Sequence, residues 1–133
     1  MKEVDKIAWI HLKDGKILST RTRGREKFYI PGGKRENGES DEQTLVREIQ
    51  EELSVMIDDS SISYMGTFKA QSDGAADGVI VKMTCYTAEF IGELAPANEI
   101  AEIRWLTLSD TSIISAVDQI IFAHLEQQGL LYL

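Results

Sequence analysis

The sequence predicts an α/β fold, a mixed sheet covered on both faces by helices, and three observations carry that expectation. Strand-like runs fall in two clusters, one before residue 31 and one after residue 61. Two segments with helical spacing of apolar residues stand between and after them. The length of 133 residues suits one domain, expected over 1–133, with room for a hydrophobic core.

Residues 6–12 read as a strand because Ile7-Ala8-Trp9-Ile10 is strongly apolar. Asp14-Gly15 is a hairpin-turn signal that returns the chain along 16–23. Phe28-Tyr29-Ile30 reads as a short strand stopped by Pro31-Gly32-Gly33. After a polar loop, Ser40 or Asp41 is the N-cap of a helix running to about residue 53. Leu45, Ile49 and Leu53 repeat every fourth position and face the core, with Val46 alongside. Asp58-Asp59-Ser60-Ser61 breaks the pattern, and strands follow at about 62–70 and 79–91, separated by a mobile loop at 72–78. A strand at 102–106 precedes a second helix at 112–127, carried by Ile113, Val117, Ile120, Ile121 and Leu125 and ended by Gly129. There is no internal repeat and no linker.

The formal charge of −8, from 22 acids against 14 bases, argues against a stable nucleic-acid partner. No apolar run reaches the roughly 18 residues of a bilayer span, so no membrane partner is expected. The acid-bearing N-terminus lacks the apolar stretch of a signal peptide, and the expected location is cytoplasmic. A single cysteine, Cys85, excludes an intramolecular disulfide or a cysteine metal cluster and reads as a small buried side chain. His11 and His124 lack a paired ligand at useful spacing, and Trp9 and Trp105 read as core. Phe28 or Tyr29 is the candidate to stack on an aromatic ligand, one on each face of its strand. The apolar tail Leu130-Leu131-Tyr132-Leu133 packs on its own domain or on a second copy, which leaves a homo-oligomer open.

The chemistry-bearing pattern lies in the first helix. Glu48, Glu51 and Glu52 stand at i, i+3 and i+4 and share one face. Two such charges about 6 Å apart repel by roughly 3 kcal/mol at an effective dielectric of about 20. A hard divalent cation, which prefers oxygen ligands, reverses the sign of that interaction. Arg47, four residues before Glu51, braces a carboxylate, and Gly32-Gly33 lets the backbone approach a ligand closely. Six bases, Arg21, Arg23, Arg25, Lys27, Lys34 and Arg35, fall within fifteen residues just upstream. They form either a solvated hairpin edge or an anion-contacting rim, with Arg23, Arg25, Lys34 and Gly33 the substrate-binding candidates.

Residues 33–55 resemble the Nudix box, G-x5-E-x7-R-E-U-x-E-E-x-G-U with U aliphatic. Gly33, Glu39, Arg47, Glu48, Ile49, Glu51, Glu52 and Val55 match, and Ser54 stands where the box has glycine. The flanks agree: Phe28-Tyr29-Ile30-Pro31 resembles the approach to the box, and Glu102-Ile103-Arg104-Trp105-Leu106 resembles a late strand of the family. The resemblance implies an α/β/α sandwich with a loop-helix-loop catalytic element. It implies Mg2+, or Mn2+, held chiefly by Glu48 and Glu52 with Glu51 close by. It also implies attack of water on a nucleoside diphosphate linked to X. Glu51, Glu52, Arg47 and Glu99 are the catalytic candidates, Glu99 because some members carry a glutamate at that distance before the late strand; Glu36 is a weaker candidate.

The segment after the box lacks the proline of ADP-ribose hydrolases, the tyrosine of diadenosine-polyphosphate hydrolases and the repeated prolines of NADH hydrolases, reading Lys69-Ala70-Gln71-Ser72-Asp73-Gly74 instead. Elimination favours a MutT-like nucleoside triphosphate pyrophosphohydrolase, oxidised and non-standard nucleotides included. The alternatives are an ADP-sugar or dinucleotide pyrophosphatase and a non-catalytic nucleotide-sensing domain; the intact acids and the lack of a helix-turn-helix segment speak against the last.

Overall fold

The computed structural model describes residues 2–72 and 78–133, so the loop expected at 72–78 lies, over 73–77, outside the described residues. The strands are β1 (Lys2–Trp9), β2 (Leu12–Lys13), β3 (Lys16–Thr22), β4 (Gly32–Gly33), β5 (Met56–Ile57), β6 (Ser63–Gln71), β7 (Val79–Thr87), β8 (Phe90–Ile91) and β9 (Ile100–Leu106). The helices are α1 (Asp41–Leu53) and α2 (Ala116–Gln127). β4, β1, β7 and β6 form a mixed sheet in that order, β1 and β7 running parallel and the other pairs antiparallel. β2, β3 and β9 form an antiparallel sheet, and β5 pairs with β8.

Alternation along β1 builds the two layers. Ile7 and Trp9 pack with Leu45, Ile49 and Leu53 of α1. Ala8 and Ile10 join Val117, Ile121, Phe122 and Leu125 of α2 on the opposite face. The indole of Trp9, fully buried, donates to the Ala88 carbonyl at 3.2 Å, so its polar edge is satisfied. The expected α/β/α sandwich is therefore formed, with Cys85 buried in it as anticipated. Leu131 is buried in the α2-side core and the Tyr132 amide donates to Gly15, so the tail packs at least partly on its own domain.

Several boundaries differ from the sequence reading, each for a non-local reason. β1 begins at Lys2 because its parallel ladder with β7 extends over polar residues. The same strand stops at Trp9, and Leu12–Lys13 pairs instead with β3 across Asp14 and Gly15, both with positive φ as a two-residue hairpin requires. Residues 28–30 make only isolated bridges, Tyr29 to Thr20 and Phe28 to Ile114; the ladder forms at the glycines beyond, β4 on β1. The run 79–91 is split because Phe90–Ile91 leaves β7 to pair with β5. The second helix begins at Ala116, capped by Ser115, and Leu108–Ile113 is a 3-10 segment that places Ile113 outside α2. Ile120 faces solvent rather than the core.

Leu45 is fully buried under Trp9 and Ile7. Leu45→Ala is expected to cost roughly 2–5 kcal/mol through the cavity it leaves. Denaturant melts should show that loss, while turnover per folded molecule stays near that of the parent.

Candidate active site

Helix α1 starts where its cap dictates. The Ser40 hydroxyl accepts from the Gln43 amide at 3.1 Å and the Gln43 side chain accepts from the Ser40 amide at 2.9 Å, a reciprocal capping box. The loop before the cap is closed onto the helix by Arg47. Its Nε and Nη2 donate to the two oxygens of Glu39 at 2.7 and 2.9 Å, and Nη2 also reaches the Lys34 carbonyl at 3.0 Å. The Thr44 hydroxyl and the Glu36 amide donate to the same carboxylate, which Arg47 above all holds down to a pKa of about 2. Glu39 is thus the clasp between loop and helix. The remaining guanidinium nitrogen, Nη1, donates to Glu48 at 2.8 Å and to Glu51 at 3.3 Å, and Glu36 lies 3.4 Å from Nε.

The three helix carboxylates share a face but grade from core to solvent. Glu52 is 8% exposed, Glu48 is half-buried, and Glu51 is exposed. β4 crosses over Glu48 and Glu52. A Cβ on Gly33 would stand 2.4 Å from the Glu48 carboxyl carbon, and one on Gly32, at φ +150, would stand 2.0 Å from the Ile7 carbonyl oxygen. Gly32 is therefore dictated by close approach to backbone, whereas a side chain on Gly33 would displace the Glu48 carboxylate; the Gly32 amide donates to Glu52 at 3.3 Å. Burial, then the Glu48 charge, raises the Glu52 pKa to about 8, with the Gly32 amide opposing. Burial also raises that of Glu48 against the pull of Arg47.

Such a pair of acids, one buried and one half-buried, fits a hard cation, since a positive charge between them offsets what burial and mutual repulsion cost. Among the described residues, no three acidic, histidine or cysteine side chains are close enough to form a ready ion cage. Glu51 reaches toward Arg47 and solvent, so Glu48 and Glu52 are the residues that could hold the ion.

Glu52 also lines a cleft of about 330 Å³ between the sheet and the start of α2. Of the four substrate-binding candidates, Gly33 and Arg25 line it too, whereas Arg23 and Lys34 are exposed and outside its wall. Arg21 is engaged by Glu102, and Arg35 by Asp5 and Asp41. Between the two aromatic candidates, Tyr29 is on the wall, and Phe28 is buried under the Arg104 guanidinium. Sequence reasoning missed two charged wall residues. Lys6 on β1 lines the cleft, and its charge opposes the raised pKa of Glu52. Asp118 on α2 is buried, lines the cleft and accepts from the Ile30 amide at 3.0 Å. An acid inside the apolar spacing of 113–125 was the only sequence signal for it. Glu99 precedes β9, and its charge acts on both Glu48 and Glu52.

A carboxyl whose pKa rises on folding contributes stability below its unfolded value of 4.5 and loses that contribution as pH climbs to about 8. The metal-free protein should therefore melt at falling temperature across that window. Glu52→Gln should flatten the slope and gain on the order of a few kcal/mol at the alkaline end. A parental slope in the variant would assign the pH dependence to other groups. Gly33→Ala, which forces Glu48 aside, should cut turnover about tenfold or more with little change in melting temperature.

A family profile for the NUDIX domain matches residues 2–124. No curated protein matches the chain in sequence. Among solved structures it is similar to the E. coli ORF135 protein, at 26% identity and a TM-score of 0.72 over 96% of this chain and 94% of that one. It is similar also to a MutT NUDIX hydrolase from Burkholderia pseudomallei, at 25% identity and a TM-score of 0.67 over 83% of this chain and 87% of that one. A NUDIX hydrolase from Nitrosomonas europaea, at 18% identity, shares the fold with a TM-score of 0.75 over 98% of this chain and 93% of that one. The chain belongs to the Nudix family, and it is a MutT-like hydrolase that acts on pyrophosphate bonds.

Proposed function

We propose that this chain hydrolyses a nucleoside triphosphate, oxidised or non-standard bases included, to the monophosphate and pyrophosphate with the help of Mg2+ or Mn2+. The observation that carries the reading is the buried Glu52 carboxyl, packed with Glu48 under a strand without side chains in the wall of the cleft. The cleft volume falls in the range of small-molecule sites, about 300–1,000 Å³. Tyr29 offers an aromatic face for a base, and Asp118 a carboxylate for base N–H groups. Lys6 and Arg25 offer cations to the phosphates.

Glu48 and Glu52 would hold the cation, which would supply positive charge against the anionic diphosphate. Water adds to one phosphorus, the bridging P–O bond breaks, and a carboxylate takes the proton. Glu51 and Glu99 are the candidates for that acceptor. Arg47 keeps Glu48 aimed and the 33–40 loop shut. Two of its three nitrogens are taken up by Glu39, so its role is one of position.

A nucleotide panel assayed for phosphate release with Mg2+ and a coupling pyrophosphatase tests the reading. Turnover should vanish on chelation and return with Mg2+ or Mn2+. Full turnover in excess chelator would remove the carboxylate site from the reaction, and nucleotide binding without turnover would favour a sensing domain. Arg25→Ala should raise KM more than it lowers kcat, increasingly so at low salt, because a phosphate contact holds ground and transition states alike. Arg23→Ala should match the parent. Equal KM in all three proteins would make the basic cluster a solvated edge.

A further inference from the structure

The last four carbonyls of a helix have no partner within it. In α1 all four find one, and three of the donors come from a single remote loop, residues 92–99. The Gln50 carbonyl accepts from the Ser54 amide at 3.1 Å, the Leu53 carbonyl from the Ala95 amide at 3.0 Å, and the Glu52 carbonyl from the Ala97 amide at 3.0 Å. The Glu51 carbonyl accepts from the side-chain amide of Asn98 at 2.7 Å. Two of these carbonyls belong to the helix glutamates of the site, and the residue after Asn98 is Glu99. A second fastening holds Glu99 from its other side, where its carbonyl accepts from the Arg23 amide at 2.8 Å.

Two residues in left-handed backbone conformations make this junction. Asn98 has φ 54, a region that asparagine tolerates better than most residues. Ser54 has φ 65 at the position where the box has glycine, and its hydroxyl donates to the Ala95 carbonyl at 3.2 Å. The serine thus gives up glycine's conformational ease and adds a bond to the same loop.

We propose that Asn98 is a positioning residue of the hydrolytic site: by capping the Glu51 carbonyl it fixes Glu99 against Glu48 and Glu52. The inference rests on the hydrolase reading for what Glu99 does there. A cap with no further role would lower stability alone. A positioning cap moves the site's properties in protein that is fully folded, and only while Glu99 has a carboxylate to aim.

The experiment compares Asn98→Asp, Asn98→Gly and Glu99→Gln, singly and with Asn98→Asp combined with Glu99→Gln, below every melting transition. Aspartate keeps the size and the left-handed tolerance but turns an acceptor on the Glu51 carbonyl, and glycine keeps the backbone alone. Two readouts are taken. One is Mn2+ binding to the metal-free protein, from loss of the free-ion EPR signal. The other is kcat and KM for the nucleotide turned over fastest in the panel. Asn98→Asp should bind Mn2+ several-fold more weakly and lose about tenfold or more in kcat, as expected when a reacting group shifts by about 1 Å. Its KM should stay within about twofold. Asn98→Gly should move in the same direction by less. In the Glu99→Gln background the aspartate substitution should add almost nothing to either readout.

Parental kcat and Mn2+ affinity in Asn98→Asp overturn the proposal, as does full additivity with Glu99→Gln. Parental behaviour of Glu99→Gln overturns it too, since nothing is left to aim, while the hydrolase reading stands. A parent that turns over no nucleotide sinks the hydrolase reading, and the Mn2+ comparison then decides the proposal alone.

Discussion

One guanidinium organises the site. Arg47 lies within 3.4 Å of Glu36, Glu39, Glu48 and Glu51, and without it these acids would repel one another across a single loop-helix junction. Its planar fork grips Glu39 with two nitrogens and leaves the third for Glu48. The eight-residue spacing of Glu39 and Arg47 then has a mechanical sense. The glutamate eight residues before the arginine lies across the helix cap from it, so their bond closes the loop and aims the first carboxylate in one stroke. Lysine, with one point charge, could not do both.

Glu52 shows the opposite economy. It is buried beside another acid, its pKa stands near 8, and nothing in the fold's stability recommends it. A neutral side chain at so buried a position would serve the packing better. A group held at such cost is what a cation site requires, because the ion recovers on binding what folding lost. The glycine strand belongs to the same logic. β4 has no side chains, so it can close over the two acids and donate a backbone amide to the buried one.

Much of this was legible in the sequence, and the part that was not follows from chain topology. Helix α1 announced itself through the cap at Ser40 or Asp41 and the Leu45–Ile49–Leu53 repeat, because capping and amphipathicity are local. The Asp14-Gly15 hairpin did so for the same reason. The start of β1 was hidden, since Lys2 and Glu3 enter the sheet through backbone pairing with β7 rather than through apolar side chains. The 79–91 run looked continuous because its break depends on β5, more than twenty residues upstream. The cleft was the least legible. Lys6, Tyr29 and Asp118 come from three distant segments, and only the fold brings them together. Arg25 could be proposed but not separated from Arg23, because the choice depends on how the chain turns at Gly24, which has φ 82.

The claim on which the rest hangs is that Arg47 and Glu39 act as one unit in ordering the site. A double-mutant cycle on kcat, with Arg47→Lys, Glu39→Gln and both together, measures it directly. If the pair is one unit, each single change lowers kcat steeply and the double variant is hardly slower than the worse of the two. If the two losses multiply, loop closure and carboxylate aim are separate functions, and the account of the site built on a shared clasp is contradicted.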